Sequence, residues 1–148
     1  PERRQELTTE GGLDVAGQKQ YLHSVVKTFR ENKILVSLFV DPDERQIETS
    51  GEIGSDMIEI HTGEYADAKS AKERREKLAR IQKMARFAKS IELGVNGGHG
   101  LDYDNVSLIA AIKDIDEVSI GYAIMVRAMF VGLERAVKEM LKLVKRGQ

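Results

Sequence analysis

Residues 34–61, ILVSLFVDPDERQIETSGEIGSDMIEIH, hold two short apolar runs separated by a polar stretch of helical length. The first run, Ile34 to Val40, is almost wholly apolar, the pattern of a strand covered on both faces in a parallel sheet. Asp41-Pro42-Asp43 then starts a helix, with proline near the first turn and Ile47 and Ile53 as its few apolar positions. Asp56 to His61 reads as the next strand. Strand, helix and strand in this order, joined by short connections, predict a crossover unit with parallel strands.

The same order continues on either side. Pro1 to Gly17 is polar and carries the loop signature Thr8-Thr9-Glu10-Gly11-Gly12. Gln18 to Lys33 sets Leu22, Val25, Val26 and Phe29 at helical spacing. After the loop from Thr62 to Asp67, the spacing predicts a helix over Ala71–Ser90, with Leu78, Ile81, Met84, Ala85 and Ala88 on one stripe. Ile91 to Asn96 is read as a third strand, broken by Gly97-Gly98-His99-Gly100. Asn105 to Ile112 is a short helix and Val118 to Ile120 a brief fourth strand. Tyr122 to Arg146 is helical, weakest at Gly132. A helix followed by four strand–helix units is an α/β protein with a parallel sheet. It is either a small doubly wound sheet or half of a TIM (β/α)8 barrel, whose whole needs about 250 residues. The leading helix without a strand before it, the start at Pro1 without Met, and polar residues gathered at strand ends favour the half-barrel. One domain over residues 1–148, the C-terminal part of a barrel, is the expectation.

Composition narrows the function. Lys and Arg number 23 against 24 Asp and Glu, a net charge of -1. That balance argues against a general phosphate-neutralising nucleic-acid surface. The alternating run Glu73 to Lys77 reads as a solvated helix face. With no cysteine there is neither disulfide nor thiolate chemistry, and a reducing cytosol is the simpler home. No apolar run approaches the ~20 residues of a membrane span, and PERRQE does not resemble a signal peptide.

In parallel α/β proteins the reacting groups sit beyond the carboxyl ends of the strands. This points to Glu59 and His61, to Asn96 and His99, and to Gly121-Tyr122. Glu59 and His61 lie two apart and share a face, opposite Ile58 and Ile60. An inward Glu59 is either kept for function or neutralised by a buried Arg or Lys from the other strands. The His99 imidazole suits proton transfer; alone it would be an ordinary loop histidine. Gly98 and Gly100 beside it leave backbone N–H groups open, an anion-binding concavity. Gly121-Tyr122, at a helix start, supplies more free donors. Together they suggest a phosphorylated substrate. Glu59, His61 and His99 match no established metal-ligand spacing, so no metal is expected. His23 reads as surface. Arg127 pairs with a carboxylate or covers the sheet edge, and Met125, Met129 and Met140 read as core filler.

RQELTTEGGLDVAG (4–17), IEIHTGEYAD (58–67), VNGGHGLDYDNV (95–106) and SIGYAIMVRAMFVGLERAVKEM (119–140) together resemble the pyridoxine 5'-phosphate synthase family. The likeness runs over essentially the whole chain, and only over the later part of that family's barrel. It implies condensation of 3-amino-2-oxopropyl phosphate with 1-deoxy-D-xylulose 5-phosphate, giving pyridoxine 5'-phosphate, phosphate and water. It implies no metal or organic cofactor, a cytoplasmic setting and a homo-oligomer, an octamer in the family. By position it makes His99 the proton donor and Glu59 the stabiliser of the transition state. Thr8, Gly100, Gly121 and Tyr122 become substrate contacts, with Tyr122 standing where the family commonly has histidine. The family's two general bases belong to the first half of the barrel and are not in this chain, so the portion alone is expected to be inactive. Two other readings are a catalytically incomplete phosphate-binding half-barrel module and a phosphosugar isomerase or aldolase. The last lacks a lysine at a strand end for a Schiff base.

Overall fold

The computed structural model describes residues 11–147. Its first element, α1 (Lys19–Glu31), buries Leu22 and Val26. The strand β1 is Ser37–Val40, shorter than the apolar run. Ile34 and Leu35 precede it and are 50% and 73% exposed, so hydrophobicity overran the strand at its amino end. Next comes α2 (Glu44–Glu52), capped by the Asp43 side chain, which accepts from the Gln46 N–H, with Pro42 just ahead of the cap rather than inside the turn. β2 is Met57–His61.

After β2 the chain forms a single helical turn, α3 (Gly63–Ala66), where the sequence suggested only a loop. Tyr65 anchors it: the ring is fully buried and its hydroxyl donates to the Asn105 carbonyl at 2.7 Å. The long α4 (Ala71–Ser90) begins at Ser70, whose hydroxyl accepts from the Glu73 N–H, and buries Ile81, Met84, Ala85 and Ala88 as the stripe foretold. Ile91 is then the C-cap and Glu92 turns with φ 66°. Consequently β3 is Gly94–Gly98 rather than 91–96: Gly97 and Gly98 pair with Ile60 and His61 and extend the strand instead of ending it. The remaining elements are α5 (Val106–Ala110), β4 (Glu117–Ser119), α6 (Tyr122–Val131) and α7 (Leu133–Gly147). Gly132, at φ 83°, separates the last two as the weak point in the sequence predicted.

The four strands are parallel and lie in chain order, β1-β2-β3-β4. This is an α/β fold with a parallel sheet. Burial alternates along it. Leu38, Val40, Ile58, Ile60, Val95 and Gly97 form the buried set, while Phe39, Glu59, His61 and Asn96 on the other face are only partly covered. The expectation of strands covered on both faces is therefore not met among the described residues: helices close one face and leave the other open. A second correction concerns α6. Met140 on α7 is core, at 3% exposure, but Met125 and Met129 are 59% and 84% exposed, because nothing among the described residues packs on that side of α6.

Asp116 ties the sheet between β3 and β4. Its carboxylate accepts from the Val95 N–H at 2.9 Å and from the Lys89 ammonium. The Lys89 hydrogen bond first, and the Val95 N–H second, hold its carboxyl below the usual value of 3.8. With the folded value depressed, this contribution is complete above 3.8 and is lost as pH falls below it. Asp116→Asn should flatten the acid limb of stability in that window, read by urea unfolding at stepped pH. Separately, Tyr65→Phe removes a buried hydrogen bond and should cost about 1 kcal/mol in the same unfolding measurement at neutral pH.

Candidate active site

The carboxyl ends of the four strands converge on one edge of the sheet, and the polar residues gathered there come from consecutive elements. Glu59 faces the open side of β2. A Cβ at Gly98, on the neighbouring strand, would overlap the Glu59 carboxylate, so glycine at 98 makes room for that group. On the far side of Gly98, Ser119 of β4 donates its hydroxyl to Glu59 Oε2 at 2.9 Å. The carboxylate thus leans across β3 toward β4, half-buried, with the Ser119 hydroxyl as its partner among the described residues.

The turn after β3 is fixed by Thr62, which is fully buried. Its backbone N–H donates to the Gly98 carbonyl at 2.8 Å, and its hydroxyl lies 2.7 Å from that oxygen and 2.6 Å from the His99 carbonyl. Two consecutive residues there adopt left-handed backbone, His99 at φ 79° and Gly100 at φ 73°. For a non-glycine residue this conformation is uncommon and is sustained only where the surroundings impose it. Thr62 imposes it. A Cβ at Gly100 would press on Ala66 Cβ at 2.7 Å, so both space and backbone require glycine there.

His99, Gly100, Ser119, Gly121 and Tyr122 line one cavity of about 790 Å³, which also reaches Tyr103 and Arg127. Gly121 is the N-cap of α6 and offers no side-chain cap, so the first N–H groups of that helix lack intrahelical acceptors at the cavity wall. Such a terminus attracts anions. Arg127 is not a free cation: its Nε donates to Glu139 at 2.9 Å, and Arg135 reaches the same carboxylate at 2.8 Å. The two guanidinium groups, Arg127 foremost, hold the Glu139 carboxyl below the ordinary carboxylate range. Tyr103 donates to the Ala136 carbonyl at 2.9 Å, and burial pushes its hydroxyl pKa up. The Tyr122 side chain is 86% exposed.

His61 belongs to a different cluster. Its Nδ1 lies 2.9 Å from Asp41 Oδ1, its ring centroid 5.1 Å from Phe39 and 4.9 Å from His99. Asn96, in register with Glu59, is half-buried, and its side-chain amide reaches the Met57 sulfur. His23 is an exposed residue of α1 whose Nδ1 lies 3.3 Å from the Ile53 carbonyl. Thr8 lies outside the described residues. Ser119, Asp41 and Thr62 were not singled out in the sequence. The strand-end rule applied to β4 and β1 would have found the first two, whereas nothing marks Thr62 but its place after His61.

Residues 1–146 match the family model described as "Pyridoxal phosphate biosynthesis protein PdxJ". The chain is 50% identical over 145 residues to the pyridoxine 5'-phosphate synthase of Geobacter sp. (strain M21), covering 98% of this chain and 61% of that protein. It is 52% identical over 144 residues to that of Sulfurihydrogenibium sp. (strain YO3AOP1), covering 97% and 59%. A third, from Geobacter sulfurreducens, is 48% identical over 145 residues. The chain thus spans about three fifths of the length of the curated relatives it matches. With a whole-length family match and half of its residues shared with named relatives, this chain belongs to the PdxJ family of pyridoxal phosphate biosynthesis proteins.

Proposed function

We propose that this chain is the carboxyl-terminal half of a TIM (β/α)8 barrel whose whole is a pyridoxine 5'-phosphate synthase. It would condense 3-amino-2-oxopropyl phosphate with 1-deoxy-D-xylulose 5-phosphate. The barrel reading is supported by strands in unbroken chain order and by a sheet open on one face. A doubly wound sheet reverses its order at a switch point and carries helices on both faces. A barrel closes the open face on itself, and the half-buried Phe39, Glu59 and Asn96 become interior.

The observation that carries the function is the single cavity holding His99, Gly100 and the α6 terminus at Gly121. In this reading the Gly100 N–H and the first amides of α6 grip a phosphate, with Tyr122 contributing through its backbone, so the missing imidazole at 122 is tolerated. His99 hands a proton to the oxygen that leaves as water, chemistry suited to an imidazole near neutral pH. Glu59, fixed by Ser119, faces the positive charge that develops as amine and carbonyl condense. Thr8 completes the contact to the deoxyxylulose phosphate. The protein is cytoplasmic and works as a homo-oligomer, and no helix among the described residues is long and apolar enough to cross a membrane.

In the complete barrel, His99→Gln should lower kcat roughly 10²- to 10⁴-fold, the usual worth of a positioned proton donor, measured as pyridoxine 5'-phosphate formed from the two phosphates. Wild-type rates from the variant would sink the assignment of His99. The purified 148-residue chain, lacking the bases of the first half, should bind inorganic phosphate without turning over the substrates. Turnover by it at the rate of the complete enzyme would refute the half-barrel reading.

A further inference from the structure

Asp41, His61 and His99 come from the ends of three successive strands and form a row along the rim of the sheet. Asp41 follows β1, His61 ends β2, and His99 follows β3. The Asp41 carboxylate can only accept. Its Oδ1 takes the Gly12 N–H at 3.1 Å and stands 2.9 Å from His61 Nδ1, so the His61 proton sits on Nδ1. The His61 side chain is 12% exposed, and its Nε2 is buried with no hydrogen-bond partner among the described residues. Free imidazole has no reason to hold this tautomer; here the carboxylate selects it.

The ring is also confined. Phe39 meets it edge-on at 5.1 Å, and the His99 ring lies against it at 4.9 Å, tilted by 57°. Gly63 closes the gap: a Cβ there would come within 2.6 Å of His61 Nε2 and 3.0 Å of His99 Cδ2. A ring held by Asp41 at one nitrogen and packed against Phe39 and Gly63 limits where its neighbour His99 can stand.

We propose that Asp41 and His61 are positioning residues for His99: the carboxylate locks the His61 imidazole, and the locked ring sets the orientation of the His99 ring toward the cavity. The inference rests on the synthase reading for its kinetic consequence, but not for its structural one. A ring displaced by about 1 Å from a productive geometry loses roughly 10²-fold in rate. The loss would therefore appear in kcat, since neither Asp41 nor His61 lines the cavity beside Gly100 and Gly121.

Only three histidines are present, so long-range proton–nitrogen correlation spectra can assign each ring by single substitution. At neutral pH His61 should show the Nδ1–H tautomer. Asp41→Ala should release it toward the Nε2–H form and shift or broaden the His99 ring signals, whereas Asp41→Asn, whose amide oxygen still accepts, should restore both. In the complete enzyme Asp41→Ala and His61→Phe should each cut kcat about 10- to 100-fold with KM for either phosphate within about twofold, and Asp41→Asn should recover most of it. His61→Phe keeps the ring volume, so it reports on the locked hydrogen bond even where Asp41→Ala fails to fold. An Nε2–H tautomer in the unaltered protein, or unchanged His99 signals and kcat in both variants, would overturn the proposal. No turnover by the unaltered complete enzyme would instead sink the synthase reading, and the tautomer and His99 signals would then judge the pair by themselves.

Discussion

The hydroxyl of Thr62 holds the site together. It is buried at the point where β2 ends, and it reaches across to the carbonyls of Gly98 and His99 on the next strand's exit. The Gly98 carbonyl also accepts from the Thr62 backbone N–H, so the hydroxyl proton is free to serve the His99 carbonyl, and losing it would cost about one hydrogen bond. With it, the turn after β3 is pulled against β2, and His99 takes a backbone conformation that its side chain alone would disfavour. The position of the imidazole and the opening of the Gly100 amide follow from this clasp.

The sheet supplies the frame in which the clasp works. Parallel strands in chain order bring each exit beside the next, so residues far apart in sequence (41, 61, 99 and 119) share one rim. Alternate residues divide the labour. Ile58 and Ile60 are fully buried toward the helices, while Glu59 and His61 face the other way and remain partly covered. Apolar area on one face provides the stability, and the opposite face is left to carry polar groups.

Much of this was legible in the residues. The crossover order, the Ala71–Ser90 helix stripe and the break at Gly132 follow from periodicity and glycine placement, which act locally. The grouping of His99, Gly100 and Gly121 follows from the strand-end rule. Where the reading slipped, the cause lay in contacts that no local pattern encodes. Ile34 and Leu35 look like strand but stand outside the sheet, exposed. Gly97 and Gly98 look like a break, yet their register with Ile60 and His61 continues the ladder and their lack of side chains admits Glu59. Met125 and Met129 look like core because helix patterning cannot say which side of a helix meets a neighbour. Asp41 and Ser119 escaped notice because their importance lies in partners twenty and sixty residues away.

Gly63 has a consequence of a different kind. It has no side chain to donate, accept or carry charge, and its value lies in a missing carbon between two aromatic heterocycles. The arrangement is therefore defined partly by subtraction. A search for reactive groups would pass over position 63, yet a single methyl there would wedge the two rings apart while leaving every functional side chain in the sequence intact.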